Sequence, residues 1–157
     1  EAVKIDGYTI EEDTVVPRAE LPALFKGVKA LGKEYDFQAV CYGHAGDGNL
    51  HPLLLFDANQ PEEMERAEEF GAEILELSVA LGGTITGEHG VGMEKINQMC
   101  AQFTTAEVRQ FFRVKAAFDP PGLLNPGKAI PTLNRCAEYG RMKVSKGHVP
   151  YPDIPRF

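Results

Sequence analysis

The pattern of apolar and polar positions predicts three amphipathic helices. In residues 21–35, apolar side chains recur at helical spacing and leave a polar face for solvent. Residues 61–81 carry a second apolar stripe, with glutamates mostly on the other faces. Residues 104–118 begin with Thr104 and Glu107, which have the spacing of a capping box. Each of these segments is long enough for a helix that packs one face against a core.

Shorter apolar segments between the helices predict strands. Residues 13–17, 37–42 and 50–56 are rich in β-branched, aromatic or aliphatic side chains, and residues 84–86 predict a further short strand. The order is strand, helix, strand, strand, helix, short strand, helix. It predicts an α+β fold in which an antiparallel sheet carries helices on one face, as in a split βαβ arrangement.

Charge and composition narrow the classes of partner. The 157-residue chain has a net charge of −7 and no lysine or arginine cluster, which argues against nucleic acid and anionic membranes. No apolar run is long enough to span a bilayer. Three widely spaced cysteines fit no zinc or disulfide framework, so we expect a reducing, cytoplasmic setting.

Two histidines flank the glycine-rich turn GHAGDGNLHP, residues 43–52. If residues 37–44 and 50–56 pair as an antiparallel hairpin, His44 and His51 lie at its neck. Opposed residues of such a pair have Cβ atoms about 4.5–5.5 Å apart. Two imidazoles at that separation suit one metal ion with nitrogen ligands about 2.0–2.1 Å away.

A second glycine-rich stretch, TGEHGVG (86–92), offers a third ligand. Glu88 and His89 are adjacent, so their side chains usually point in different directions. Glu88 as the ligand leaves His89 free as a general base. The alternative is that these histidines are ordinary hydrogen-bonded surface residues. In that case Asp47 and Asn49 would serve only to form the turn.

Four segments occur in the order typical of one known family: GHAGDGNLHP, GGTITGEHGVG, EKINQMC and FDPPGLLNPGK. They resemble the C-terminal part of the FAD-linked 2-hydroxyacid oxidases and dehydrogenases, which are vanillyl-alcohol-oxidase-like flavoproteins. Within that family the similarity is greatest to the flavin subunits of bacterial glycolate oxidases. It covers essentially the whole chain.

The resemblance implies a larger flavoprotein of which this chain, lacking an initiator Met, is a C-terminal fragment. It implies that residues 1–130 form a ferredoxin-like substrate domain, and that residues 131–157 form a tail that packs on a preceding flavin domain. That preceding domain would bind most of the FAD, while Asn125 lies in the terminal motif that approaches the flavin.

The resemblance also implies roles in the site. His44, His51 and Glu88 correspond to the ligands of a divalent metal, for which zinc is one candidate. His89 corresponds to the histidine that takes the hydroxyl proton while FAD takes the hydride. The implied electron acceptor is an iron–sulfur subunit among the other glycolate oxidase subunits, which would hold the protein in the cytoplasm or peripherally at the inner membrane.

Two departures from some relatives bear on the substrate. Leu53 stands where those relatives have a polar residue, and Glu11 stands near the position of a lysine. A small 2-hydroxyacid such as glycolate or D-lactate is therefore expected in preference to a longer dicarboxylate.

Two other classes of function remain open at this stage. Two histidines and one carboxylate also occur in non-haem iron oxygenases and metal-dependent hydrolases. The chain by itself is also compatible with a catalytically inert structural or interaction domain.

Overall fold

A computed structural model describes residues 8–57 and 59–131. The chain divides into two compact units, residues 1–90 and 91–157. The elements of the first unit are β1 (Tyr8–Glu11), β2 (Thr14–Val15), α1 (Leu21–Tyr35), β3 (Gln38–Tyr42), β4 (Asn49–Phe56) and α2 (Pro61–Ala80). Those of the second unit are α3 (Met99–Gln102) and α4 (Thr105–Phe118).

β4 is the central strand of an antiparallel sheet. β1 and β2 pair with different parts of one edge of β4, and β3 pairs with the other edge. Thr84 adds a single antiparallel bridge to Val15 on the outer side of β2. The resulting order, Thr84, β2, β4, β3, is that of a split βαβ or ferredoxin-like sheet, as predicted.

The core lies between this sheet and the two long helices, which contact each other and cover one face. Phe70 of α2 is fully buried and stacks on the rings of Tyr35 and Phe37, at centroid distances of 5.6 and 6.2 Å. The other members of the main apolar cluster come from α1, α2, β4 and the segment after β2: Val16, Leu24, Val28, Leu50, Leu54 and Ile74. The α+β prediction is therefore confirmed.

The long periodic segments were the most accurately predicted. α1 spans the predicted residues 21–35 and ends where Asp36 adopts the left-handed conformation, with φ 56°. α2 ends one residue before the predicted boundary. Residues 84–86 contribute an isolated bridge instead of a strand. β1 and α3 were not predicted, because four residues are too few to show a period.

In the second unit, α4 begins with the predicted capping box. Thr104 accepts the backbone N–H of Glu107, and the Glu107 carboxylate accepts the N–H of Thr104. Cys41 has a free thiol, but Cys100 is disulfide-bonded. The prediction that the cysteines form no disulfide is therefore wrong, and they do not support a reducing compartment.

No helix within the described residues is both long and apolar enough to cross a membrane. The proposed tail lies outside the described part of the chain from residue 132 onward.

Candidate functional site

The predicted hairpin forms, with a different register at its neck. Tyr42 of β3 is the residue opposite His51, and His44 lies in the connecting loop. The carbonyl of His44 accepts the N–H groups of Asp47 and Asn49, which closes the turn. The prediction that the two histidines are directly opposed is therefore wrong. The loop still brings their rings together edge to face, with centroids 5.9 Å apart.

Gly48 is the position at which this turn cannot accept a side chain. Its φ of 78° is left-handed, and an added Cβ would collide with the carbonyl oxygen of Val16. The loop consequently packs closely against the segment after β2. This close approach fixes where the strand that carries His51 begins.

The structure gathers all four predicted site side chains of the first unit. His44 Nε2 lies 3.3 Å from Glu88 Oε1. The potential ligand atoms of His44, His51 and Glu88 all lie within 4.8 Å of one another. The rings of His51 and His89 have centroids 5.1 Å apart.

His51 is the buried member of this group. It is 4% exposed, and its Nδ1 atom makes no hydrogen bond. The nearest carboxylate oxygens to Nδ1 are Glu11 Oε1 at 3.8 Å and Asp13 Oδ1 at 3.9 Å. His44, Glu88 and His89 are exposed, so the site opens to solvent on one side.

Asp13 holds the loop that carries Glu88 and His89. Its carboxylate is fully buried and accepts the backbone N–H groups of Gly87, Glu88 and His89. Burial alone would raise the pKa of Asp13, but these N–H donors and the side chain of Asn49 outweigh it and hold the pKa well below its usual value. The loop's N–H groups therefore favour the ionised form of this carboxylate.

Tyr42 and Glu11 form the other wall beside His51. The Tyr42 ring stacks on the imidazole of His51 at a centroid distance of 5.3 Å. A hydrogen bond to Glu11, together with partial burial and the negative charge of that carboxylate, raises the pKa of Tyr42 to about 12. Glu11, His51 and His89 form a second set whose potential ligand atoms lie within 4.8 Å.

The geometry fits a divalent metal ion. Two ligand atoms on one ion, each about 2.0–2.2 Å from it, are at most about 4.4 Å apart. The pair formed by His44 and Glu88 meets this condition, and the ligand atom of His51 lies within 4.8 Å of both partners. The buried Nδ1 of His51, which has no hydrogen bond, is a further sign that this imidazole is placed for a ligand.

The other residues considered from the sequence lie outside this group of side chains. Asp47 is exposed and serves the turn, whereas Asn49 is buried and bonds to Asp13. Asn125 lies in the second unit, exposed and left-handed with φ 44°. Sequence reasoning did not single out Asp13, whose only sequence signal is an acid directly before three β-branched residues.

Comparisons with known proteins place this chain in a family. Residues 1–129 match the family described as FAD linked oxidases, C-terminal domain. The chain belongs to this family of FAD-linked oxidoreductases.

Its relatives include the glycolate oxidase subunit GlcD of Escherichia coli K12, 59% identical over 145 residues that cover 92% of this chain and 29% of the relative. GlcD of Bacillus subtilis is 46% identical over 76% of this chain and 26% of its own length. A D-lactate dehydrogenase of Archaeoglobus fulgidus is 37% identical over 77% of this chain and 26% of its own length. The chain thus spans less than a third of these relatives.

A solved structure shares the fold. The 4-ethylphenol oxidase of Gulosibacter chungangensis aligns with a TM-score of 0.59 over 82% of this chain and 25% of its own, at 18% identity. At that identity the similarity supports the α+β architecture alone.

Proposed function

We propose that this chain is the substrate- and metal-binding part of an FAD-dependent 2-hydroxyacid oxidoreductase that oxidises glycolate, or D-lactate, to the 2-oxo acid. The observation that carries the proposal is the convergence of His44, His51, Glu88 and His89 in one open site. The relatives named glycolate oxidase subunit and D-lactate dehydrogenase support the choice of substrates.

In this proposal His44, His51 and Glu88 hold a divalent cation, with zinc as one candidate. When bound, such a cation polarises oxygen atoms and lowers the pKa of a hydroxyl group. The set that contains Glu88 is favoured over the set that contains Glu11, because the Glu11 carboxylate already accepts a hydrogen bond from Tyr42. His51 belongs to both sets, so it is expected to bind in either case.

His89 is the proposed general base. Its ring lies beside that of His51, and its backbone is held by Asp13, so the imidazole is fixed near the proposed cation position. A neutral imidazole nitrogen there accepts the proton of the substrate's hydroxyl group. FAD, when bound, accepts the hydride from C2. Asn125 is proposed to contact the flavin from the second unit.

Negative charge beside the site disfavours a substrate with a second carboxylate. Glu11 lies 3.8 Å from His51, and Asp13 lies beneath the neighbouring loop. Asp13 is buried, so the carboxylate that a longer substrate could approach is that of Glu11, which would repel a second carboxylate on the substrate. This favours a small 2-hydroxyacid.

The whole protein is proposed to work with other glycolate oxidase subunits, including an iron–sulfur subunit that takes electrons from the flavin. The name of the Escherichia coli relative describes it as a subunit, which supports the existence of partners. A cytoplasmic location, peripheral to the inner membrane through these partners, rests on the family resemblance.

The test measures metal content and turnover separately in the full-length protein. His44→Ala, His51→Ala and Glu88→Gln should each lower bound metal severely. His89→Ala and Glu11→Gln should retain it, since neither residue belongs to the favoured set. His89→Ala should nonetheless lower kcat for glycolate by about 10²–10⁴, the usual contribution of a general base.

The matched pair of glutamate variants decides between the two ligand sets. Metal loss in Glu11→Gln and His89→Ala, with retention in Glu88→Gln and His44→Ala, would reverse the assignment. Wild-type turnover in His89→Ala would remove its role as base. A purified full-length protein without flavin absorbance would favour a metal-dependent oxygenase or hydrolase instead.

A further inference from the structure

Asp13 connects two parts of the candidate site that are far apart in sequence. One carboxylate oxygen, Oδ2, accepts the N–H groups of Gly87, Glu88 and His89 at 2.8, 2.7 and 2.8 Å. The hydroxyl of Thr86 donates to the same oxygen at 3.1 Å. Consecutive N–H groups can converge on one oxygen only when the backbone curls around it, so these contacts fix the path of the loop.

The other carboxylate oxygen reaches the strand that carries His51. Asp13 Oδ1 accepts a hydrogen bond of 2.7 Å from the side-chain amide of Asn49, which is buried two residues before His51 on β4. The amide group of Asn49 also lies 3.4 Å from the carbonyl of Thr14. Asp13 therefore joins the loop to β4 through a single buried side chain.

Close packing leaves the loop little freedom to move away from this carboxylate. A Cβ added to Gly87 would lie 2.5 Å from the Asn49 amide nitrogen and 2.8 Å from Asp13 Oδ1. The backbone of Gly87 is thus in direct contact with both partners. Hydrogen bonds to an ionised acceptor are about twice as strong as neutral ones, so the carboxylate is well suited to hold this contact.

We infer that Asp13 is the positioning residue of the site: it holds the backbone of residues 87–89 against β4 and so places Glu88 and His89 beside His51. The inference rests on the proposed function for the roles of Glu88 and His89. Asp13 acts through their backbone, and its carboxylate is buried beneath the loop.

Replacement of Asp13 by Asn tests this with little change of volume. If the new amide oxygen takes the Oδ2 position beneath the loop, its NH2 group faces the NH2 group of Asn49. If the oxygen faces Asn49, the NH2 group faces three N–H donors. In the first orientation Asn49 can restore its bond only by turning its amide over, which ends its contact with the Thr14 carbonyl. In both orientations a neutral amide replaces an ionised acceptor, so the loop is held less strongly.

The first readout is amide hydrogen exchange of the full-length protein. In Asp13→Asn the amides of residues 87–89 should exchange at least about 10-fold faster, while those in the centre of α2 keep their protection. Asp57→Asn is the matched control: Asp57 is exposed and accepts one backbone N–H from Asn59 at 3.0 Å. It should leave the exchange of residues 87–89 unchanged.

The second readout is binding and kinetics. The affinity of the Asp13→Asn variant for Zn²⁺ should fall by about 10–100-fold, as is usual when the residues that orient metal ligands are changed. The kcat for glycolate should fall by a larger factor than KM rises. A purely structural role would instead speed exchange throughout the first unit and leave kcat per folded molecule unchanged.

A milder pair of variants covers the case in which Asp13→Asn does not fold. Thr86→Val removes the hydroxyl that bonds both Asp13 and the N–H of Gly90, and Thr86→Ser retains it. Thr86→Val should speed exchange of residues 87–89 and weaken Zn²⁺ binding, and Thr86→Ser should do neither. Equal behaviour of the two Thr86 variants would overturn the inference.

The two proposals fail in distinguishable ways. If the wild-type protein binds no Zn²⁺, the proposed metal site is wrong, yet the exchange of residues 87–89 still decides whether Asp13 holds the loop. If Asp13→Asn folds and residues 87–89 exchange at the wild-type rate, the positioning role is wrong whatever the metal data show.

Discussion

At the scale of single residues, the site depends on how closely the backbone of the 86–90 loop can approach the sheet. Two glycines illustrate the difference between a required and an optional glycine. A Cβ on Gly87 would meet Asn49, Val15 and Asp13 atoms at 2.5–2.8 Å, whereas a Cβ on Gly46 would have no atom within 4 Å. Contacts under 3.0 Å force either the loop or its partners to shift.

We therefore expect Gly87→Ala to destabilise the protein by about 1–3 kcal/mol, the usual cost of overpacking a close contact. The same variant should weaken Zn²⁺ binding, because the loop carries Glu88. Gly46→Ala is the matched control and should lie within about 0.5 kcal/mol of wild type. Urea unfolding followed by a Zn²⁺ titration measures both effects. Equal unfolding midpoints for the two alanine variants would contradict the packing argument.

Sequence reasoning predicted which side chains come together better than it predicted which residues support them. His44 and His51 could be assigned to one place because a short turn joins them. Asp13 could not, because its hydrogen bonds join residues 74 to 76 positions apart and depend on how β2 meets the later loop. Local patterns carry no information about such a contact.

At the scale of elements, periodicity predicted the long helices and the two strands of the hairpin. The register of that hairpin was misjudged because Gly43 and the turn residues lengthen the loop, so that β3 ends at Tyr42. The identity of residue partners depends on where the ladder stops, and an apolar run does not specify that point.

The end of α4 offers a pH-dependent test of an element boundary. Asp119 follows the helix, and its carboxylate accepts the N–H groups of Leu123 and Leu124 at 2.9 Å and the ammonium group of Lys115. The hydrogen bond from Lys115, with the two N–H donors adding and burial opposing, lowers the pKa of Asp119 from its ordinary 3.8. The ionised form therefore ties the turn to the last turn of the helix.

The lowered pKa of Asp119 determines how the stability of the protein changes with pH. Because the folded-state pKa is lower than the unfolded one, the contribution to stability is complete above about pH 4 and is lost as the pH falls through the folded value. Asp119→Asn should thus be destabilised relative to wild type at pH 7, and the gap should narrow below pH 4. Urea unfolding across this range measures it, with Glu65→Gln on the exposed face of α2 as the charge control. A gap that does not change with pH would show that the carboxylate's charge contributes nothing.

At the scale of the whole molecule, the relatives are much longer than the part of them that this chain matches. The alignment with the glycolate oxidase subunit of Escherichia coli covers 92% of this chain but only 29% of that relative. The proposed metal ligands and the proposed base lie within the first compact unit, whereas Asn125 lies in the second. We therefore expect the 157-residue chain, studied alone, to keep metal binding and to lack substrate oxidation.

We expect this chain alone to bind Zn²⁺ without oxidising glycolate. A hydride that leaves C2 needs an acceptor, which FAD supplies in this family, and residues 1–129 match its C-terminal domain. The chain and the full-length protein are compared with glycolate and an artificial electron acceptor, and Zn²⁺ titration of the same samples reports an intact site. His44→Ala in the chain is the control for specific metal binding. Turnover by the chain would place the redox chemistry within these residues. If the full-length protein binds Zn²⁺ and the chain does not, the metal site is completed by residues outside the chain.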